Sequence, residues 1–311
     1  MSSKIADANK GYYSSKGKKI YADFSTFAQG KCLATCNAIE YCNDFSSRAE
    51  PVVVCEYGIG KGDFARAFLD EVKKRNKKLY AKTRYYLFDF SEKMLDDAKK
   101  NLKQHHGICI FGKFDALLDT PDLEFDYCRI NELLTDLPAS LYSHKEGKVH
   151  ELLPQKDGTF TMNGVFSPNP LITAFMSRIE DGRAIPFNFD AQKFLLALCA
   201  KGKEKFRIDI FDYGFYSAEE VFSLPKEEWN RLMVRDYGGQ LTVDLNFPQI
   251  MAALDAEGLP AQIEKQKFYC EKVTGKRLGM SHTKAGLDYL PIKKDDRFIE
   301  DDGFYHLRIG K

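Results

Sequence analysis

The stretch VVVCEYGIGKGDFARAFLDEV, residues 52–72, joins an apolar run, three alternating glycines and a helix-like segment. The apolar run from Val52 to Glu56 predicts a buried strand, and after Asp63 apolar residues return at helical spacing. A strand, a glycine turn and a helix open many α/β sheets, and ligands bind there beyond the carboxyl ends of the strands. The stretch therefore predicts a parallel sheet with a binding site above its first turn.

Strand-like and helix-like segments keep alternating after this unit, which predicts an α/β fold with helices on both faces of a mostly parallel sheet. Ser91 is the expected N-cap of the second helix. The further strands are predicted at Tyr85–Phe88, Ile108–Phe111, Phe125–Ile130, residues 205–214, Gln262–Cys270 and Phe304–Ile309, the last one antiparallel.

The charge balance and the apolar runs of the chain indicate which classes of protein it can belong to. The chain has 311 residues, and 46 Lys and Arg against 45 Asp and Glu leave a net charge of +1. This balance does not indicate a nucleic-acid or membrane-surface binder. The sequence has no apolar signal core and no run of about 18 apolar residues that would cross a bilayer, so we expect a cytoplasmic protein.

The eight cysteines are expected to be reduced thiols, mostly in the core. Cys32, Cys36 and Cys42 follow the spacing C-x3-C-x5-C, which differs from the C-x3-C-x2-C of radical enzymes because position 39 is Ile. The histidine nearest to them in sequence is His105. We therefore predict no metal site.

The glycine loop does not match the dinucleotide fingerprint G-x-G-x-x-G, because Asp63 stands where its last glycine is required. The pattern present is E-x-G-x-G-x-G, formed by Glu56, Gly58, Gly60 and Gly62. Glycines allow close backbone approach, and a neighbouring carboxylate can offset an ammonium group. This combination favours S-adenosylmethionine, although a purely structural turn remains an alternative.

Residues at the ends of the next strands are candidates for the same cofactor. Asp89 ends the second strand, where a carboxylate can accept hydrogen bonds from both ribose hydroxyls, and Phe90 follows it. Phe114 and Asp115, after the third strand, are candidates to recognise adenine. Asp115 alone could equally be an ordinary loop acid.

The fourth strand leads into NELLTDLP, residues 131–138. Asn131 and Glu132 should emerge beside the transferred methyl group, and Glu132 is suited to hold a guanidinium by paired hydrogen bonds. The alternative for Glu132, and for Asp136, is an acid at a helix start that interacts with the helix dipole.

Several motifs together resemble the MidA-type family of class I S-adenosylmethionine-dependent methyltransferases, which includes a mitochondrial arginine methyltransferase of complex I assembly. They are GYYSSKGKKIYADFST, CEYGIGKGDFARAFL, NELLTDLP, IDIFDYG and VRDYGGQLTVDLNFPQIMAALDAEGL, in the family's order over roughly residues 11–260. Ala22 and Asp89 depart from the family's usual glycine and glutamate, and the tail after about residue 270 matches nothing in it.

The resemblance implies a seven-stranded Rossmann-like sheet with an antiparallel last strand. It implies cofactor contacts from Glu56, Gly58, Gly60 and Asp89, with Asp23, Phe24 and Thr26 near the same pocket. It further implies substrate-side roles for Asn131, Glu132 and Asp212.

The predicted organisation has four parts. Residues 1–50 form a helical cap that contributes to the cofactor pocket, 51–144 the cofactor-binding core, 145–204 a substrate insertion or lid, and 205–311 the rest of the sheet with a second, substrate-side insertion at 215–240. The predicted function is methyl transfer to a protein side chain, with arginine favoured. A small-molecule methyltransferase and a cofactor-binding assembly factor without turnover are the alternatives, and a homodimer is left open.

Overall fold

The computed structural model describes residues 8–12, 25–154, 160–165, 170–284, 286–292 and 303–310. The helices are α1 (residues 8–12), α2 (Cys32–Phe45), α3 (Asp63–Arg75), α4 (Lys77–Lys82), α5 (Glu92–Asn101), α6 (Pro170–Met176), α7 (Phe189–Cys199), α8 (Ala218–Phe222), α9 (Lys226–Leu232), α10 (Phe247–Ala256) and α11 (Gln266–Thr274). Within these ranges, no helix has the length and apolar character needed to span a membrane.

The strands are β1 (Val52–Tyr57), β2 (Thr83–Asp89), β3 (Cys109–Lys113), β4 (Phe125–Asn131), β5 (Ser140–Lys145), β6 (Lys148–Pro154), β7 (Phe160–Val165), β8 (Ile185–Phe187), β9 (Gly202–Phe215), β10 (Val234–Tyr237), β11 (Gln240–Val243), β12 (Leu245–Asn246), β13 (Ala261–Lys265), β14 (Leu278–Thr283), β15 (Gly286–Pro291) and β16 (Phe304–Gly310).

The main sheet has the strand order β13-β16-β9-β4-β1-β2-β3, with β12 added beside β9. The five strands from β9 to β3 are parallel to their neighbours, whereas β16 is antiparallel to both β9 and β13. The predicted seven-stranded sheet with an antiparallel last strand is confirmed.

Both faces of the central strands are covered. In β1, Val52 and Val54 belong to one buried cluster, whereas Cys55 and Tyr57 belong to the other. Every residue of β4 is buried, as expected for a central parallel strand. Burial of each large apolar side chain contributes about 1.5–3 kcal/mol, so these two clusters fix the sheet and the loops at its carboxyl edge.

Helix α3 follows from the sequence pattern. Its buried residues recur at helical spacing, and Lys73, Lys74 and Arg75 lie in its last turn, where cations interact favourably with the helix dipole. The predicted N-cap of the next helix is confirmed, because the Ser91 side chain accepts a hydrogen bond from the Met94 backbone N–H.

Part of the prediction for the tail is wrong. The segment Gln262–Cys270 is strand only as far as Lys265, and Gln266 begins helix α11. The reason is the spacing of the buried residues in the second half: Gln266, Tyr269 and Cys270 recur at three- and four-residue intervals, which is a helical period.

The turn-rich segment after β4 contains regular structure. Strands β5 to β8 form a separate antiparallel sheet in the order β7-β6-β5-β8. Its apolar residues share a third buried cluster with residues from 215–243, among them Trp229 and Val243. Helix α7 instead packs in the main-sheet cluster. The two insertions therefore form one unit beside the main sheet.

Candidate active site

A cavity of about 610 Å³ lies at the carboxyl edge of the parallel strands. This volume is within the usual range for a small-molecule site. The strand-end loops of the main sheet line one side, with Gly58, Gly60, Asp89, Phe90, Phe114, Asp115, Asn131, Glu132 and Leu133. The N-terminal segment and the second insertion add Asn9, Lys10, Thr26, Arg235, Tyr237, Gln240 and Asp244.

The glycine loop presents bare backbone to this cavity. Gly58 and Gly60 have φ angles of +71° and +52°, a region that L-residues rarely adopt. The Gly58 N–H donates to the Phe88 carbonyl at 2.9 Å, which fixes the loop on β2. A Cβ on Gly58 would lie 3.1 Å from the side chain of Leu133, so the loop and the turn after β4 approach closely.

Gly62 and Glu56 do not line the cavity. Gly62, the N-cap of α3, has a φ of +74°, and a Cβ there would lie 3.0 Å from Leu102. Its position therefore serves the packing of α3 against the segment after α5. The Glu56 carboxylate accepts hydrogen bonds from Arg129 and Tyr85 in the interior.

The reason for the placement of Glu56 is the buried charge of Arg129. Arg129 is fully buried, and its guanidinium lies 3.9 Å from the ring centre of Phe64. A buried cation is tolerated only when it is paired and hydrogen-bonded. Glu56 therefore stabilises the strand that leads into the glycine loop, and its carboxylate is already paired with Arg129.

Asp89 lies at the end of β2 beside the glycine loop. Its Oδ2 accepts from the Gly60 N–H at 3.0 Å and its Oδ1 from the Ser91 N–H at 2.9 Å. Burial raises the pKa of this carboxyl to about 6, and the hydrogen bonds from Ser91 and Gly60 act in the opposite direction. The position and acceptor capacity of Asp89 fit the predicted contact with ribose hydroxyls.

The candidate adenine wall is aromatic. Phe114 packs edge-on to Tyr57 with ring centres 4.9 Å apart, and Tyr57 stacks on Phe88 at the same distance. The neighbouring Asp115 forms an ion pair with Lys10 at 2.8 Å, so α1 reaches the cavity next to this wall. Both Phe114 and Asp115 line the cavity.

Glu132 occupies a strained backbone position in the turn after β4. Its φ of +47° is unusual for a residue with a side chain, and its N–H donates to the Phe211 carbonyl at 2.8 Å. The side-chain Oε1 accepts from Thr26 Oγ1 at 2.7 Å, Phe27 N at 3.0 Å and Asn131 Nδ2 at 3.3 Å. A backbone hydrogen bond from Ala28 also reaches this carboxylate.

The electrostatics of Glu132 suit a proton acceptor near neutral pH. Burial raises the pKa of its carboxyl to about 7, and the hydrogen bonds from Thr26, Phe27 and Asn131 limit the rise. The neighbouring Asn131 is 8% exposed, and its Oδ1 has no partner in the described part of the chain. Both residues line the cavity, so a ligand bound there can contact them.

Asp212 lies beneath this turn and does not line the cavity. Its carboxylate accepts from Leu134 N at 2.9 Å and Thr135 Oγ1 at 2.8 Å, and from its neighbour Tyr213 N at 3.0 Å. Burial raises the pKa of the Asp212 carboxyl to about 8. The geometry makes Asp212 a support of the Glu132 turn.

The N-terminal segment is part of the site. Thr26 binds Glu132 directly, whereas the other predicted residues of this segment, Asp23 and Phe24, lie outside the described residues. Asn9 donates to the carbonyls of Asp136 and Leu241, each at 2.8 Å, and so joins α1 to the turn after β4 and to β11.

Sequence reasoning missed several residues that form one wall of the cavity. Arg235 forms an ion pair with Asp244, Gln240 Nε2 donates to Asp136 Oδ1 at 2.7 Å, and Tyr213 and Tyr237 complete this wall. The motif VRDYGGQLTVDL contains four of these residues, but the spacing of residues in the motif did not show which side chains line the cavity.

Acidic groups predominate at the cavity surface. In the described part of the chain the carboxylates are Asp89, Asp115, Glu132, Asp136 and Asp244, against the cations Lys10 and Arg235, with His282 also present. Lys10 and Arg235 are each paired with one of these acids. The remaining negative character favours a cationic ligand.

A family profile matches residues 35–262, which include the glycine loop, Asp89 and Glu132. The family is described as "Putative S-adenosyl-L-methionine-dependent methyltransferase". The chain belongs to this family. The assignment confirms the enzyme class and the cofactor predicted from the sequence, and it is consistent with the MidA-type resemblance.

Solved structures share the fold of this methyltransferase at low sequence identity. A Burkholderia thailandensis protein bound to S-adenosyl-homocysteine is 14% identical with a TM-score of 0.64, over 92% of this chain and 78% of that one. A native structure from the same organism has the same identity and TM-score, over 99% and 91%.

The plantazolicin methyltransferase BpumL, in complex with S-adenosyl-homocysteine, is 13% identical with a TM-score of 0.50, over 100% of this chain and 95% of that one. No functionally curated protein matches the chain in sequence.

Proposed function

We propose that this methyltransferase modifies a side chain of a partner protein, with arginine as the favoured residue. The observation that carries the proposal is the Glu132 carboxylate, which lines an acidic cavity and is held there through hydrogen bonds to its Oε1. A guanidinium offers N–H donors to such a carboxylate and carries the complementary charge.

One set of residues in the cavity would bind the cofactor, and another set would bind the substrate. S-adenosylmethionine supplies the methyl group when bound. Gly58 and Gly60 would give the amino acid end of the cofactor access to backbone groups, and Asp89 would accept hydrogen bonds from its ribose. Phe114 would lie beside the adenine, and Asn131 would lie near the methyl group.

Glu132 orients the nitrogen that accepts the methyl group. Its Oε1 is fixed by Thr26, Phe27 and Asn131, so Oε2 is held in position before substrate binds. A guanidinium N–H donates to Oε2, and with a pKa of about 7 the carboxylate can take the proton that this nitrogen releases. The role is positioning together with proton transfer.

The insertions support a large substrate. The cluster that joins them contains Phe215 and Val243, which directly follow Gly214 and Thr242 of the cavity wall. A surface built beside the substrate side is suited to contact a protein around the reacting side chain. A cytoplasmic location remains a prediction.

Transfer of label from the cofactor tests the proposal. Full-length enzyme is incubated with methyl-labelled S-adenosylmethionine and a lysate of its source, and proteins are separated from small molecules. We expect label in a protein band and, after hydrolysis, in methylarginine. Label confined to small molecules would favour a metabolite methyltransferase, and tight cofactor binding without transfer would favour an assembly factor.

A further inference from the structure

Three cysteines that are far apart in sequence meet between two helices. Cys32 and Cys36 lie one turn apart at the start of α2, and Cys270 lies on α11. Their Sγ atoms all lie within 4.8 Å of one another. The sequence spacing had grouped Cys42 with the first two, but the fold brings Cys270 there instead.

The geometry of the cluster matches a metal site. Three sulfurs that bind one ion at about 2.3 Å lie about 3.8–4.0 Å from one another. The three Sγ atoms here lie within 4.8 Å of one another, so they are already close to that spacing. All three cysteines are free thiols. Small rotations about the side-chain bonds would therefore direct all three sulfurs at one ion.

The cluster is shielded on one side and accessible on the other. Cys36 and Cys270 are fully buried, whereas Cys32 is partly exposed. The described residues contribute no fourth cysteine, histidine or carboxylate to the cluster. An ion can thus enter beside Cys32, where a water molecule can complete the coordination.

We propose that Cys32, Cys36 and Cys270 bind a soft d¹⁰ metal ion, Zn²⁺ or Cu⁺, as three thiolates. Thiolates select these ions over hard cations. Each thiol gives up its proton to solvent when its sulfur binds the metal, and no ligand is oxidised. The ion joins the first turn of α2 to α11.

The location connects this ion with the segment that holds Glu132. Helix α2 begins three residues after Gln29, the end of the short 3₁₀ turn Phe27–Gln29. The Cys32 N–H donates to Asp288 Oδ1 at 3.0 Å, so the start of α2 is also fixed to β15. A metal on Cys32 therefore stabilises the fold next to Thr26 and Phe27. Metal binding at this cluster is independent of which substrate the enzyme methylates.

Titration with Cd²⁺ tests the site directly. The full chain is stripped of metal with a chelator, kept reduced with a phosphine, and titrated while thiolate-to-metal charge-transfer absorption is recorded in the ultraviolet. We expect absorption that saturates at one ion per chain. Cys32→Ser, at the most exposed ligand, should abolish the saturable signal, whereas Cys42→Ser on the same helix should retain it.

Metal analysis and thermal unfolding complete the test. Competition with chelators specific for Zn²⁺ or Cu⁺ identifies the preferred ion, and that ion should raise the Tm of the wild type but not of Cys32→Ser. The proposal is overturned by the absence of a saturable signal in the reduced wild type, or by an equal signal in Cys32→Ser. It is also overturned if the isolated protein contains a disulfide within the cluster and binds no metal after reduction.

Discussion

At the scale of single residues, Glu132 combines backbone strain with a fixed side chain. A non-glycine residue in the left-handed region costs about 1–3 kcal/mol and persists only where its surroundings determine it. Here Phe211 accepts from the backbone of Glu132, and Thr26 and Phe27 hold its carboxylate. The strained backbone position therefore holds the Glu132 carboxylate at the cavity, which this residue lines.

Replacing this carboxylate should separate catalysis from cofactor binding. Glu132→Gln keeps the size and the Oε1 acceptor but removes the charge and the proton acceptor. We expect kcat to fall roughly 100-fold or more, as for loss of a single preorganised electrostatic group. Cofactor affinity, measured by calorimetric titration, should be retained.

The matched control for this substitution is Glu124→Gln, an exposed glutamate just before β4. It should leave both kcat and cofactor affinity unchanged. Near wild-type turnover in Glu132→Gln would show that the carboxylate has no part in the reaction.

The raised pKa of Glu132 predicts a pH dependence. Burial raises this pKa to about 7, so the carboxylate form increases as pH rises through that value, and kcat should rise with it. The contribution of Glu132 to the stability of the fold changes with pH in the opposite direction. Because the folded pKa lies above the unfolded one, the contribution of Glu132 to stability is fully present below its ordinary pKa and lost as pH rises through about 7.

A pH–rate profile of the wild type should therefore show an inflection near pH 7 that is missing from the residual rate of Glu132→Gln. An identical inflection in the two proteins would assign it to another group.

Asp89 should control affinity for the cofactor. Asp89→Ala removes the ribose acceptor and the support of the Gly60 N–H, and hydrogen bonds to a charged group are worth about 1.5–3 kcal/mol. We expect Kd for S-adenosylmethionine to rise roughly 10- to 100-fold by that estimate. Asp122→Ala, an exposed acid in the loop before β4, is the control and should bind normally. Unchanged affinity in Asp89→Ala would exclude the ribose contact.

At the scale of elements, the first strand, loop and helix could be predicted almost to the residue. Their apolar spacing and glycines are local signals, so residues 52–72 contain the information for β1 and α3. The partners of Glu56 could not be predicted, because Arg129 lies 73 residues away and only the pairing of β1 with β4 brings it near. For the same reason the spacing of the cysteines did not reveal Cys270.

The predicted strand at Gln262–Cys270 shows a second limit. A short segment with few apolar residues does not fix its own period, so tertiary packing decides between strand and helix. Here the first half pairs with β16, while the second half packs on the buried side of α2. The boundary at Lys265 follows from those two neighbours.

The glycine loop offers a test of element geometry. Gly58→Val places a β-branched side chain at a φ of +71° and brings Cβ to 3.1 Å from Leu133, so the loop must move. We expect loss of measurable cofactor binding and a lower Tm, since such backbone strain costs about 1–3 kcal/mol. Gly107→Val is the control, because a Cβ there meets no atom within 4 Å. Normal binding by Gly58→Val would contradict the role assigned to the loop.

At the scale of the whole molecule, the chain consists of a cofactor-binding sheet and an insertion unit, and residues from the range 213–244 near that unit line the same cavity as the strand-end loops of the sheet. The insertion unit has its own buried cluster, distinct from the two clusters of the main sheet. This arrangement predicts that damage to the unit affects the use of substrate more than the binding of cofactor.

Trp229 is the residue with which to test this division. It is 5% exposed, its Nε1 donates to the Ala184 carbonyl at 2.7 Å, and its ring packs edge-on to Phe215 at 5.4 Å, so it ties the two insertions together. Trp229→Ala should destabilise the unit by about 3–5 kcal/mol, seen as faster hydrogen exchange in residues 140–187. Methylation of the labelled protein substrate should then fall while Kd for S-adenosylmethionine stays unchanged, because Trp229 does not line the cavity. Trp229→Phe, which keeps most of the ring, should lose less of each. A parallel loss of cofactor affinity in Trp229→Ala would mean that the insertions and the cofactor site unfold as one cooperative body.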